Sequence, residues 1–307
     1  MNSPSSDDPQ SRYSRRSMLA AAVAGTVAGA AASSVGGKVL AEEVKSTVGV
    51  KNGRINQSIV PWCFNPMKLE ELAPHAVRLG MKSIELVQPV DFPILKKHGL
   101  ICALTSSHGF VKGWNDVANH EFCREKMTSA INATADAQFP AVITFSGMRG
   151  QLTDEEGKRN MVAGLKTIMG LAEKRGVNIC IEPLNTRVDV HMKGHPGYQC
   201  DTIEWAVDVC DAVASPRLKI LFDIYHTQIM QGDVITRIGQ YQDYIGHYHT
   251  AGVPGRNELD DQQELNYPAI MKAIVATGYT GYVGQEFIPK NKDMIASLEA
   301  AVQLCDV

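Results

Sequence analysis

Several things are scarce in this 307-residue sequence, and each scarcity closes off a class of protein. An excess of one charge is missing: 30 Lys+Arg against 33 Asp+Glu leaves −3, with no basic surplus to lay along a nucleic-acid backbone. The seven cysteines, an odd count at irregular spacing, fit neither a disulfide framework nor a zinc module. No run reads as the membrane-spanning helix of a mature protein. Beyond residue 52 there is no linker, no low-complexity tract and no repeat other than a β/α alternation. What is present, 44% hydrophobic and 21% charged residues, is ample to bury a core and excludes a disordered chain.

The first forty residues differ from the rest. Residues 1–13 are polar, Ser14-Arg15-Arg16-Ser17-Met18-Leu19-Ala20 follows, and an Ala/Gly/Val run continues to about Gly37. A positive segment, a weakly apolar stretch and small residues ahead of a cut are the parts of a secretory signal. The paired arginines are similar to the twin-arginine export signal, with Met18 where that pattern usually has Phe. Of two candidate cuts, after Ala32 or after Ala41, the second is favoured. The expected organisation is a signal peptide over 1–41, a short linker over 42–54 and a catalytic barrel over 55–307. The expected location is the periplasm, or otherwise outside the cytoplasm, with membrane contact only through the signal. An uncleaved tethering tail is the alternative. A chain that folds before export can keep free thiols, and Cys102 and Cys180 sit in apolar runs as buried small hydrophobes do.

Without its leader the chain keeps about 266 residues, near the ~250 typical of an eightfold β/α barrel. Short apolar runs predict strands at Ile55–Pro61, Lys82–Val87, Leu100–Ser106, Ala141–Ser146, Asn178–Glu182, Leu218–Ile224, Ile245–Thr250 and Tyr282–Ile288. Amphipathic stretches between them predict helices at Lys68–Leu79, Phe92–Lys97, Glu121–Ala137, Asp154–Arg175, Thr202–Ala214, Asp233–Gln240, Tyr267–Thr277 and Ile295–Cys305. Gly80, Gly99, Gly176 and Gly278 punctuate the helix ends. The competing open, doubly wound sheet would want a glycine-rich turn after the first strand. The chain there reads Trp62-Cys63-Phe64-Asn65-Pro66. The fold class expected is therefore α/β, a single (β/α)8 TIM barrel.

In such a barrel, chemistry gathers where the strands end. The last four predicted strands end on metal-ligand types: Glu182, Asp223, His249 and Glu286. A carboxylate closing an apolar run is costly to bury unless it is paired or bound to a cation. Strand alternation places Glu182, Asp223 and His249 on the same face as Cys180, Leu221 and His247, two residues earlier. Three carboxylates and one imidazole make a hard, oxygen-rich site suited to Mn²⁺ or Mg²⁺, with Co²⁺ and Zn²⁺ also compatible.

Asp223-Ile224-Tyr225-His226, the run from Gly246-His247-Tyr248-His249 through Thr250-Ala251-Gly252-Val253-Pro254-Gly255-Arg256, and Gly281-Tyr282-Val283-Gly284-Gln285-Glu286-Phe287 resemble the hydroxypyruvate isomerase family of xylose-isomerase-like barrels. So do Phe145-Ser146-Gly147 and Asn266-Tyr267-Pro268, and the resemblance extends from about Asn56 to Val307. It implies a metal-dependent aldose–ketose isomerase converting hydroxypyruvate to 2-hydroxy-3-oxopropanoate through a cis-enediolate. Glu182, Asp223, His249 and Glu286 would hold the metal, and Glu182 and Glu286 would transfer the proton. His226 and Arg256 match positions that hold substrate oxygens or a carboxylate, and Arg256's planar fork suits the latter.

Other residues are placed by position alone. His108, ending the third strand region, is expected to face the substrate, and His247 to support the metal from one layer deeper or to pack in the core. Trp62 and Phe64 would wall the mouth, and Asn185 would support the loop after Glu182. The long loop Thr186–Gln199 suggests a lid, with His191 and His195 in it read as solvated rather than as ligands of a second metal. The partner expected is a small hydroxy-keto acid or sugar, with no nucleic acid; a homo-oligomer stays open. Ketose 3-epimerases, inosose dehydratases and metal-dependent nucleases share this type of quartet, and an exported sugar-acid binder without turnover is a further alternative.

Overall fold

A computed structural model describes residues 49–307. The expected signal over 1–41 and the first seven residues of the expected linker lie outside the described residues. The rest of that linker is fastened to the body. The Asp306 carboxylate accepts the backbone N–H groups of Lys51, Asn52 and Gly53 at 2.5, 2.8 and 2.9 Å, and Arg54 Nε donates to Val307 O at 2.7 Å.

Seven strands form one parallel sheet: β1 (Asn56–Ile59), β2 (Ser83–Ile84), β3 (Ala141–Thr144), β4 (Asn178–Ile181), β5 (Leu218–Asp223), β6 (Ile245–Thr250) and β7 (Tyr282–Gln285). The helices are α1 (Leu69–Arg78), α2 (Phe92–Lys97), α3 (His120–Asp136), α4 (Asp154–Arg175), α5 (Ile203–Val213), α6 (Ile224–Met230), α7 (Val234–Tyr241), α8 (Tyr267–Ala276) and α9 (Met294–Cys305). Strand order is β2-β1-β7-β6-β5-β4-β3, so β2 and β3 are the two edges. The segment predicted as the third strand joins them through single bridges, Ile101 to Ser83 and Thr105 to Val142. Ile84 N–H donates to Ile101 O at 3.1 Å and Ile143 N–H to Thr105 O at 3.0 Å, which closes the ring with a stave too irregular to count as a strand. The α/β barrel expected from the alternation is the fold observed.

The core has two parts. A large apolar shell lies between sheet and helices, and a small one, Leu104, Ala141, Ile143, Cys180 and Leu221, fills the barrel interior. All seven cysteines are buried and free. Helix starts follow ordinary capping chemistry: Thr153 and Glu156 form a capping box on α4, and Thr202, Asn266 and Asp293 cap α5, α8 and α9. Among the described residues no helix is long and apolar enough to cross a membrane.

Candidate active site

Directly above the small interior core, Glu182, Asp223, His249 and Glu286 converge, one candidate ligand atom from each lying within 4.8 Å of the others. None is more than 5% exposed. Register explains the convergence, because Asp223 pairs with His249 and His249 with Gly284, while Glu182 and Glu286 each follow the last residue of their strands.

Each group is aimed by its neighbours. Asp223 caps α6: its Oδ1 accepts His226 N–H at 3.0 Å, leaving Oδ2 for the site. The end of β4 is fixed by Tyr198, whose hydroxyl donates to Glu182 O at 3.0 Å and accepts Ser146 N–H at 2.9 Å. Tyr267 does the same for β6, bonding Ala251 O at 2.8 Å and Ala251 N–H at 2.9 Å. Trp62 Nε1–H donates to Glu286 Oε1 at 3.2 Å.

Three atoms of the quartet, Glu182 Oε1, Asp223 Oδ2 and His249 Nδ1, are buried without a hydrogen-bond partner. His249 Nδ1 does lie 2.8 Å from Glu286 Oε2, but without the alignment a hydrogen bond needs. Orphaned acceptors this deep are rare in a finished core. Their number, oxygen-rich chemistry and convergence fit a divalent cation, so the cluster can hold a metal.

Electrostatics agrees. Burial pushes Glu182 up to about 7, against the pull of His249 and with the nearby Glu286 adding to the rise. Burial likewise lifts Asp223 to about 6 against the attraction of Arg256. Burial would raise Glu286 too, but Arg256 and His249 beside it hold its carboxyl well below the usual range. The site thus concentrates carboxylates that only added positive charge can keep ionised together.

Arg256 supplies part of that charge. It is 2% exposed, its backbone is left-handed at φ 56°, and Nη2 donates to Glu286 Oε2 at 2.5 Å with Asp223 Oδ2 3.5 Å away. Trp62 and Tyr225 flank the guanidinium at 5.3 and 5.6 Å from their ring centroids. Trp62 therefore does line the site, whereas Phe64 turns into the core against Phe287.

The residue that sequence reasoning missed is Glu85, just beyond β2. It is fully buried, and its Oε1 lies 2.7 Å from Nε2 of both His247 and His249. Burial would raise Glu85, but the two imidazoles pull it down to about 2, so it is a carboxylate that accepts from both rings. Burial would lower His249, but Glu286, Glu182 and Glu85 around it hold it well above its usual range; a bound cation would take the place of the Nδ1 proton and leave Nε2–H on Glu85. Gly284 makes room, since a Cβ there would stand 2.4 Å from Glu85 Oε1 and 2.9 Å from His249 Cδ2. His247 accordingly supports a ligand from the layer below. The signal was available: Glu85 is a carboxylate within the predicted strand Lys82–Val87, as Glu182, Asp223 and Glu286 are within theirs.

Two expectations need correction, those for His108 and His195. His108 does not offer a nitrogen to substrate: Nδ1 lies 3.1 Å from both Gly109 O and Lys112 O, and Nε2 is 2.9 Å from Thr144 Oγ1. His226 sits on the first turn of α6, buried, with Nε2 unpartnered. His195 is not solvated; it is buried, 4.3 Å from the Phe110 ring and 6.0 Å from His226, and burial with Arg256 nearby lowers it to about 4. His191 is exposed, as expected.

Residues 74–304 match the xylose isomerase-like TIM barrel family. Among named relatives, the 2-oxo-tetronate isomerase of Cupriavidus necator is 39% identical over 39% of this chain and 43% of its own. The hydroxypyruvate isomerase of Escherichia coli is 32% identical over 45% and 51%. The chain thus spans about half the length of these relatives. Among solved structures, a family 2 AP endonuclease from Brucella melitensis superposes with a TM-score of 0.70 at 25% identity, over 80% of this chain and 96% of that one. A D-psicose 3-epimerase from Clostridium cellulolyticum shares the fold with a TM-score of 0.68 at 14% identity, over 82% and 98%. By fold and by sequence, then, this chain belongs to the xylose isomerase-like TIM barrel family.

Proposed function

We propose that this chain is a divalent-metal-dependent isomerase of small hydroxy-keto acids, with hydroxypyruvate to 2-hydroxy-3-oxopropanoate as the reference reaction. The observation that carries this reading is the buried quartet with three orphaned ligand atoms and a guanidinium against the fourth group. The names of the relatives point to the same reaction class.

Glu182, Asp223, His249 and Glu286 would hold the ion, with Mn²⁺ or Mg²⁺ suiting this donor set best. When bound, the ion would polarise the substrate carbonyl and offset the negative charge that develops on it. The remaining work belongs to side chains. Glu182 and Glu286 reach the site from β4 and β7, on either side of His249. One takes a proton from the hydroxymethyl carbon; the C–H electron pair becomes the C=C bond of an enediolate, and negative charge moves to the carbonyl oxygen. The other returns a proton to the adjacent carbon, and a second proton passes from the hydroxyl oxygen to the former carbonyl oxygen. Trp62 holds Glu286 in orientation through its N–H.

Arg256 favours an acid over a neutral sugar. Nη1 and Nη2 already donate to Met192 O and Glu286, but Nε is buried without a partner, and its N–H with the remaining Nη protons would meet a substrate carboxylate, which the epimerase alternative for neutral ketoses does not supply. Comparing turnover of hydroxypyruvate, a four-carbon 2-oxo acid and a neutral ketopentose by the metal-loaded chain tests this. Turnover of the acids, lost on chelation, is the expected result; faster turnover of the ketopentose would overturn the acid reading. Export is part of the proposal: a reporter carrying residues 1–41 should leave the cytoplasm, and should stay there once Arg15 and Arg16 are both changed to Lys.

A further inference from the structure

His226 is 2% exposed, and its two ring nitrogens have opposite surroundings. The backbone N–H of Asn185 donates to Nδ1 at 3.0 Å, and the Asn185 side-chain Nδ2 lies 2.7 Å from the same nitrogen. That amide cannot be turned round. Its Oδ1 accepts Val188 N–H at 3.1 Å and its Nδ2 donates to Lys193 O at 2.8 Å; reversal would set oxygen against a carbonyl and N–H against N–H. Nδ1 is therefore an acceptor, and the ring proton sits on Nε2. This second nitrogen is buried without a partner; Asp223 Oδ2, at 3.8 Å, is beyond hydrogen-bond reach.

Asn185 also fastens the segment 188–195 across the site. Its carbonyl accepts His195 N–H at 2.8 Å. The same segment is held by Tyr225, whose hydroxyl donates to Lys193 O at 2.7 Å, and by Arg256, whose Nη1 donates to Met192 O at 2.7 Å. Gly194 permits the close approach, since a Cβ there would stand 2.1 Å from Val188 O and 2.7 Å from Asn185 Oδ1. One residue thus touches both the strap and the back of the imidazole.

We propose that Asn185 is a positioning residue: it makes His226 an Nε2–H donor to a substrate hydroxyl or carbonyl oxygen and ties that orientation to the docked strap. A buried N–H with no protein partner is costly, and an arriving oxygen would relieve it. The proposal rests on the proposed reaction for its kinetic arm alone.

The test begins with the full chain carrying ¹⁵N-labelled histidine, with and without Mg²⁺. His226 should show a protonated, pyrrole-type Nε2 and a pyridine-type Nδ1. Asn185→Asp keeps the size and the acceptor for Val188 but sets a carboxylate oxygen against Nδ1. It should draw the proton to Nδ1 and raise KM for hydroxypyruvate about tenfold, the worth of one good hydrogen bond, with a smaller change in kcat. Asn185→Ala removes the side-chain donor to Nδ1 and the acceptor for Val188, and should speed amide exchange at Val188 and His195. A wild-type ring protonated on Nδ1, an Asn185→Asp ring unchanged from wild type, or unchanged exchange in Asn185→Ala would each overturn the proposal. The expected ring pattern in a chain that does not turn over hydroxypyruvate would support the positioning role and refute the reaction.

Discussion

The barrel interior holds two layers built on opposite principles, two residues apart where both draw on one strand: Cys180 and Glu182 along β4, Leu221 and Asp223 on β5. The lower one, Leu104, Ala141, Ile143, Cys180 and Leu221, is apolar, and nothing in it asks for a partner. The upper one carries Glu182, Asp223, His249 and Glu286, as buried as the layer beneath, with three atoms unpartnered. His247 and Glu85 join the two, with Glu85 Oε1 held between the imidazoles of His247 and His249. The contrast teaches a division of labour: the lower layer stabilises the barrel, and the upper layer gives up stability for a poised site.

That division can be broken at either level. Glu182→Gln should lower turnover of hydroxypyruvate by about 10³-fold, the range general acid–base groups contribute, while leaving the melting temperature of the metal-free chain unchanged or higher, because burial already disfavours the Glu182 charge. Leu221→Ala should do the reverse, losing about 2–5 kcal/mol in denaturant unfolding while kcat per folded molecule stays within about twofold. Glu85→Gln falls between them: it keeps an acceptor for His249 but removes the charge, and metal affinity by calorimetry should weaken about 10–100-fold.

The smallest effect is on pH dependence. A carboxyl whose pKa rises on folding stabilises the fold only while protonated. Glu182, moved from 4.5 to about 7, and Asp223, moved from 3.8 to about 6, contribute stability that is fully present below their ordinary values. It is lost as pH rises through about 6 to 7, so metal-free stability should fall across this window. Metal binding displaces those protons, so affinity should climb over the same window, with proton release measurable in buffers of different ionisation enthalpy. A flat profile would dissolve the distinction between the layers.

How much of this was legible in the sequence follows the same division. Where strands are longest, in β5 and β6, the period of two carried Leu221 to Asp223 and His247 to His249 onto one face, the register shift between Ile220 and Leu221 lying before those residues. Where the ladder is short, it failed. β2 has two residues, the stave after it only single bridges, and Glu85 and His108 beside them were missed or misassigned. Position along the chain also could not show that Thr144 and two backbone carbonyls occupy both nitrogens of His108. Nor could composition show that polar His195 is buried, because Phe110 and the strap that bury it are remote or irregular in sequence. The helix at Ile224–Met230 was hidden because it begins on the residue after a strand, with Asp223 both ending one element and capping the next.

Proton transfer by a metal-dependent upper layer leaves a direct trace in solvent deuterium exchange. The Mg²⁺-loaded chain in D₂O should place deuterium on the hydroxymethyl carbon of hydroxypyruvate, seen by NMR as 2-hydroxy-3-oxopropanoate appears, and should stop on chelation or in Glu286→Gln. Absence of exchange while Mg²⁺ is demonstrably bound, or exchange that persists without it, would rule out metal-dependent proton transfer at this site.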